Sequence, residues 1–172
     1  KSSVDAIYLD FAKAFDTVPH SKLLIKLKNL NLDEKIVKWI QDYLHDRVQR
    51  VIIRGVQSEW LEVYSGVPQG SVIGPILFLI YINDIHDEIE SKLNIFADDT
   101  KMMNRVGDAE GRLEVERDLK RLEQWCEKNG MKLNLEKCCV MHCGKNNLKK
   151  NYKMFDKLLQ KTECEKDLGI LV

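Results

Sequence analysis

Apolar residues in this chain follow two rhythms, and the changes between them lay out the elements. VDAIYL (4–9) is a short run rich in strand formers and predicts a buried strand ending at Asp10. After Pro19 the rhythm changes: SKLLIKLKNL (21–30) has apolar residues at 23, 24, 27 and 30, the spacing of one helix face. DEKIVKWIQDYLHD (33–46) repeats that spacing, with Asp33 and Glu34 where acidic side chains favour a helix N-terminus. RVQRVIIRG (47–55) and EWLEVYSG (59–66) return to strand-like composition on either side of a turn at 55–58, the pattern of a hairpin.

GVPQGSVIGP (66–75) then places three glycines and two prolines in ten residues, a loop that needs unusual backbone angles or close approach to a ligand. The apolar run 76–82 behind it predicts a mostly buried helix, with Ser71 as its cap. Residues 92–97 and 100–106 predict two strands with FADDT (96–100) at the tip between them. DAEGRLEVERDLKRLEQWCEKNG (108–130) predicts a long amphipathic helix with Leu113, Glu116, Leu119, Leu122, Trp125 and Cys126 along its stripe, ended by Gly130. MKLN and KCCVMHC (131–143) read as strands, and DLGILV (167–172) as a last one. That order favours an α+β fold, an antiparallel sheet with helices packed on one face and the other face open.

Composition narrows the class. With 172 residues, 44% hydrophobic and 31% charged, the chain is long enough for one core, and a single domain is expected. The net charge is zero, 27 basic against 27 acidic residues, so nothing overall announces a basic nucleic-acid binder. Locally the balance differs: residues 132–172 hold nine Lys against five acids, whereas 84–99 hold six acids and one Lys, which would suit a polyanion held near a cation. Five irregularly spaced cysteines argue against a disulfide framework and for a reducing compartment. The longest nearly unbroken apolar stretch, 72–82, is too short to span a bilayer, and no signal peptide opens the sequence. An intracellular location, nuclear or cytoplasmic, with no membrane partner is expected. Strand alternation across CCVMHC (138–143) sends Cys139 and Cys143 to one side and Cys138 and His142 to the other, so they do not converge on zinc. Trp39, Trp60 and Trp125 read as core or hairpin-packing residues, not as stacking platforms.

The candidate chemistry lies in the acids. Asp98 and Asp99 are adjacent like charges at the end of an apolar strand, and they repel unless they face water or share a cation. A strand-end carboxylate such as Asp10, brought beside them by a neighbouring strand, would complete a site for Mg²⁺, a hard ion that takes one or two carboxylates and leaves the rest of its shell to water and substrate phosphate.

YLDFAKAFDTVPH (8–20), GVPQGSVIGPILFLIYINDI (66–85) and FADDT resemble, in that order and at fitting separations, the consecutive palm motifs of reverse transcriptases, most closely those of jockey-like non-LTR retrotransposons. The resemblance runs from residue 4 to about residue 143, and more faintly to the end. It implies that 1–172 is a reverse transcriptase palm domain, ferredoxin-like, with fingers and thumb largely absent and 145–172 forming the palm's end and primer-grip region. It implies an RNA-directed DNA polymerase that works on an RNA template, a DNA primer and dNTPs, with two Mg²⁺ ions for which Mn²⁺ substitutes. Carried over by residue, Asp10 and Asp98 would be metal ligands together with the backbone carbonyl of Phe11, and Asp99 would support the site. Phe15 would be the gate beneath the incoming sugar. Gly66, Pro68, Gln69 and Gly70 would meet the nascent base pair, and Lys137 would protonate the departing pyrophosphate. Asp16 and His20 fit the family pattern without a catalytic role, Asp16 being expected to bond nearby backbone amides ahead of Pro19. Two other readings stand beside this one: a truncated or co-opted remnant that at most binds nucleic acid or protein, and a template-independent two-metal phosphodiester enzyme, which would leave Phe15 and the 66–71 loop unexplained.

Overall fold

The computed structural model describes residues 3–167 and 169–172. In chain order its elements are β1 (Val4–Asp10), α1 (Ala14–Thr17), α2 (His20–Asn29), α3 (Glu34–Leu44), β2 (Val48–Gln49), β3 (Ile52–Ile53), β4 (Val56–Gln57), β5 (Leu61–Glu62) and α4 (Ile73–Ile82), followed by a 3₁₀ turn at Asn83–His86. Then come β6 (Lys92–Phe96), β7 (Asp99–Arg105), α5 (Ala109–Asn129), β8 (Cys139–Cys143), β9 (Lys153–Met154), β10 (Lys157–Leu158), β11 (Gln160–Thr162), β12 (Lys166–Asp167) and β13 (Ile170–Leu171). They gather into two compact units, one built from 1–12 and 84–172 and the other from 13–83.

The first unit is a five-stranded sheet in the order β11-β8-β1-β7-β6. β1 lies between β7 and β8 and pairs antiparallel with both, so Ile7 stands opposite Met102 on one side and Val140 on the other. These three, with Leu9, are almost fully buried, and they share a face by the two-residue period of a strand. Helix α5 packs against β7 and brings Val115, Leu119, Leu122 and Cys126 into the core. Asp108 caps α5 by accepting from the Gly111 amide at 2.9 Å, and Gly130 ends it with φ +68. The opposite face of β1 presents Tyr8 and Asp10, both only half-buried.

The second unit packs α2 against α3 and α4. Its core is Leu23, Leu27, Val37, Ile40, Leu44, Leu77, Phe78, Tyr81 and Ile82, each side chain contributing about 1.5–3 kcal/mol by leaving water. Lys26 crosses this core's edge, donating to the Tyr81 carbonyl at 2.6 Å with its ammonium over the Tyr81 ring. Asp33 caps α3 through the Lys35 amide at 2.8 Å. At the start of α4 the Ser71 hydroxyl accepts from the Gly74 amide at 2.9 Å, the cap expected of it.

Several expectations need correction. The hairpin over 47–66 is paired in two short pieces, β2 with β5 and β3 with β4, and turns at Arg54 and Gly55 rather than at 55–58, because both residues adopt positive φ there. MKLN forms no strand; its Leu133 makes one isolated bridge to Phe11. The sheet is not wholly antiparallel, since β11 runs parallel to β8. The strand expected over 167–172 is a hairpin of β12 and β13, and Leu168 within it lies outside the described residues. On α5 the buried stripe is Gly111, Val115, Asp118, Leu119, Leu122, Cys126 and Asn129, whereas Leu113 faces solvent. Trp39 and Trp60 are each 56% exposed, so neither is a core residue. No helix among the described residues is long and apolar enough to cross a membrane.

Candidate active site

The register of the first unit's sheet decides which acids meet. Asp10, the last residue of β1, stands directly opposite Asp99, the first residue of β7. Facing residues of an antiparallel pair point to the same side, so the two carboxylates share the sheet's open face. Phe96 pairs with Asp99, leaving Ala97 and Asp98 as a two-residue hairpin tip. Such a tip requires positive φ, which Ala97 adopts at +54° against the preference of a residue with a Cβ. FADDT therefore delivers one acid at the tip and one at the strand end, next to the acid that ends β1.

The electrostatics follow. The Asp99 carboxyl is held above its ordinary value, first by loss of hydration, then by the charges of Asp98, Asp10 and Asp167, with Lys137 pulling the other way. Asp99 keeps an exposed surface, so water screens much of this repulsion. Lys137 lies 3.5 Å from the Asp10 carboxylate. It is carried there by a turn docked on the end of β1, where the Asn134 amide donates to the Asp10 carbonyl at 2.8 Å and the Ala12 amide to the Lys132 carbonyl at 2.8 Å. Phe11 is buried, its ring edge-on to Trp125 at 6.2 Å, and the Trp125 indole N–H donates to Asp84 at 2.9 Å. Beneath Asp10, its amide donates to the Cys138 sulfur at 3.5 Å; burial pushes that thiol up, making it a packing group.

A groove of about 780 Å³ opens over these residues, lined in part by Tyr8, Asp10, Phe96, Asp99, Lys101 and Asp167. Lys101 pairs with Asp167 and also faces the Tyr8 ring. Tyr8, Lys101 and Asp167 were not among the residues expected at the site. The two-residue strand period places Tyr8 with Asp10 and Lys101 with Asp99, a signal the sequence carries. Asp167 arrives from 66 residues beyond Lys101 and has no such signal. Among the described residues no cluster of three or more His, Cys, Asp or Glu side chains forms a ready metal cage. The donors present, carboxylates bordering an open groove, suit a hard divalent ion whose shell substrate oxygens complete.

The remaining expected residues lie in the second unit. Phe15 is half-buried and stacks on Phe78, with ring centroids 4.5 Å apart. The loop that holds Gly66, Pro68, Gln69 and Gly70 is sewn to the segment 15–20. Gly66 and Val67 amides donate to the Val18 and Phe15 carbonyls at 2.8 and 2.7 Å, the Ser65 hydroxyl to the Asp16 carbonyl at 2.8 Å, and a His20 ring nitrogen sits 2.7 Å from the Gly66 carbonyl. Gly66 has φ +93, and a Cβ there would come within 2.8 Å of the Asp16 backbone, so the seam closes only on glycine. Among the described residues the Asp16 carboxylate bonds no backbone amide, contrary to expectation; it accepts from the Gln69 side-chain amide at 2.6 Å, fixing which way Gln69 points. The partner lies 53 residues away, beyond the reach of any local turn rule.

The chain was compared with known families, curated proteins and solved structures. Residues 1–170 match the family described as reverse transcriptase (RNA-dependent DNA polymerase). The RNA-directed DNA polymerase from mobile element jockey of Drosophila melanogaster is 28% identical over 176 residues, covering 95% of this chain and 19% of that protein. Its counterpart from Drosophila funebris is 30% identical over 149 residues, covering 80% and 16%. The chain thus spans about a fifth of the length of these curated relatives. A telomerase from Candida tropicalis, solved in complex with a TWJ fragment of telomeric RNA, superposes with a TM-score of 0.65 at 14% identity, over 85% of this chain and 27% of that one, a likeness of fold alone. The family match covers nearly the whole sequence, and the sequence relatives are polymerases of jockey elements: the chain belongs to the reverse transcriptase family.

Proposed function

We propose that this chain carries the catalytic centre of an RNA-directed DNA polymerase, which transfers deoxynucleotides to a primer 3′-hydroxyl under the direction of an RNA template during retrotransposon replication. The observation that carries the reading is the gathering of Asp10, Asp98 and Asp99 at adjoining strand ends beside an open groove, in a member of the reverse transcriptase family.

The family works with divalent metal ions. Asp10, Asp98 and the Phe11 carbonyl would hold two Mg²⁺, with Mn²⁺ as a substitute, and bound there the ions supply charge neutralisation at the attacking and leaving oxygens. Asp99 adds negative charge from the facing strand and sharpens the site's demand for a cation. Lys137 holds a proton at Nζ for the departing pyrophosphate, a general-acid role open to it once Asp10 has a different partner. Phe15, backed by Phe78, offers its ring to the incoming sugar and leaves no room for a 2′-hydroxyl. Gln69, oriented by Asp16, reads the nascent pair, and Gly66, Pro68 and Gly70 shape the loop that presents it. Residues 1–172 are the palm, and 145–172, with the β12–β13 hairpin over the groove, form its end and the grip on the primer. Little covalent chemistry falls to the protein; positioning and electrostatics carry the reaction.

The test is Mg²⁺- or Mn²⁺-dependent primer extension on an RNA template with all four dNTPs. It compares the chain, alone and grafted between the fingers and thumb of a jockey polymerase, with the same proteins bearing Asp98→Ala. Extension by the graft that disappears with Asp98→Ala supports the reading. A well-folded graft that extends nothing overturns it.

A further inference from the structure

Phe11 borders the acids through its backbone, and the pairing around it decides which way that backbone faces. Its bridge to Leu133 is made by the bonds on either side, from the Asn134 amide to the Asp10 carbonyl and from the Ala12 amide to the Lys132 carbonyl, each 2.8 Å. In an antiparallel pair of that kind the two facing residues turn their own N–H and C=O outward, away from each other. The Ala12 amide belongs to the same planar peptide as the Phe11 carbonyl, so an N–H aimed at Lys132 aims that oxygen the opposite way. The opposite side is that of β7, where Asp10 stands across from Asp99 and the hairpin tip carries Asp98. The Phe11 oxygen therefore faces the side of the tip, while the Phe11 ring is buried on the face of β1 that holds Ile7 and Leu9.

The ladder that fixes the earlier peptides of β1 from both flanks stops short of this one, since the pairing with β7 ends at Asp10 and Asp99. A peptide held along one edge can still tilt about that edge, and its side chain decides by how much. Here the side chain is anchored by two contacts in series. The Phe11 ring stands edge-on to Trp125 of α5, with centroids 6.2 Å apart and planes 62° from parallel, a favoured approach of two aromatic rings. The Trp125 indole is a donor and no acceptor, and its N–H donates at 2.9 Å to Asp84, in the 3₁₀ turn that precedes β6. A bond accepted by a carboxylate is stronger than one between neutral groups, and it fixes the plane of the indole. Packing alone asks for any apolar side chain at position 125; it does not ask for an N–H held in one direction.

We propose that Trp125 and Asp84 are positioning residues for the cation site: Asp84 sets the indole, the indole wedges the Phe11 ring, and the ring fixes the peptide whose oxygen faces the Asp98 tip. The metal role of that oxygen rests on the function proposed above. The hold on the peptide does not, so the two are tested apart. Groups that orient a metal ligand from behind are worth roughly 10–100-fold in metal affinity, which sets the size of the expected effect.

The experiment takes two readouts on the full chain. Amide hydrogen exchange by NMR, without metal, follows Ala12, whose N–H shares the Phe11 peptide and, at a strand end, exchanges by local opening. Electron paramagnetic resonance of free Mn²⁺ gives the affinity for the ion. Asp84→Leu and Trp125→Phe are each expected to speed Ala12 exchange about tenfold and to weaken Mn²⁺ binding about tenfold. Combining them is expected to add nothing to the exchange rate seen with Trp125→Phe, because Asp84 acts through the indole. Asp84→Asn keeps an acceptor for the indole and is expected to match the parent in both readouts; a tenfold change there overturns that route. Val115→Ala opens a cavity in the same helix about 15 Å along its axis from Trp125. It is expected to lower the urea midpoint yet leave Ala12 exchange and Mn²⁺ affinity parental, and equal losses there overturn the proposal in favour of general loosening. Parental Ala12 exchange in both Asp84→Leu and Trp125→Phe overturns the hold on the peptide; faster exchange with unchanged Mn²⁺ affinity overturns its service to the metal. A parent whose Mn²⁺ binding is indifferent to Asp98→Ala removes the metal reading, while faster exchange in the two variants still upholds the hold on Phe11.

Discussion

Asp99 is the residue at which the cost of the site is measurable. Its carboxyl sits above the ordinary value because lost hydration and three other acids disfavour its charge. A carboxylate raised on folding penalises the native state fully at pH values above its folded value, and the penalty vanishes below the unfolded one. Asp99→Asn is therefore expected to raise the urea midpoint of the metal-free protein near pH 7. That gain should shrink steadily as pH falls through the carboxylate range and disappear when both forms are protonated; a gain that grew on acidification would contradict the assignment. The acids themselves were legible in the sequence, Asp10 at the end of an apolar run and Asp98 and Asp99 in FADDT. That Asp10 faces Asp99 rather than Asp98 was not, because a one-residue slip of register reverses which side chains share a face. Ala97 carries positive φ at the tip for the same reason: the fold holds it there from both strands, and no local preference would choose it.

Among the elements, the pieces with local punctuation were the readable ones. Asp108 and Gly130 bracket α5, and Asp33 opens α3, each through a backbone bond made within its own turn. The strands β9, β10 and β11 went unread because each is two or three residues long and has no periodicity of its own; β11 exists only through parallel pairing with β8. The stripe on α5 was misplaced at Leu113 and missed at Asp118, a fully buried acid that hydropathy assigns to the surface. Asp118 accepts from the Glu90 and Ser91 amides at 3.2 and 2.7 Å and pairs with Arg121 at 2.8 Å, so a helix side chain ties down the start of β6, the strand that leads into FADDT. Asp118→Ala leaves two amides without their acceptor and the Arg121 guanidinium with Glu90 alone, and is expected to cost about 3 kcal/mol in urea unfolding. Asp118→Asn, which keeps a carbonyl acceptor, should cost less.

For the molecule as a whole, the proposed cation site should register in the stability of the sheet unit. A ligand that binds only the folded state stabilises it by mass action, about 1.4 kcal/mol at ten times its dissociation constant. Mn²⁺ or Mg²⁺ titrated against the urea midpoint is expected to give that rise in the parent and none in Asp10→Asn; equal rises in both would place the bound ion elsewhere. The order of strands bears on how such a molecule comes to exist at all. β1 occupies the middle of the sheet, yet Val4 must wait for Arg105 on one flank and Cys143 on the other. Apart from the β6–β7 hairpin, the pairings of that sheet join distant parts of the sequence, so its chain must close long loops before they reward it. During synthesis the helices of 13–83 emerge complete while β1 is still solitary, its apolar run open to any other unpaired edge. The strand ends that bring Asp10 beside Asp99 are thus expected to be among the last parts of the fold to form, and the part most dependent on protection until they do.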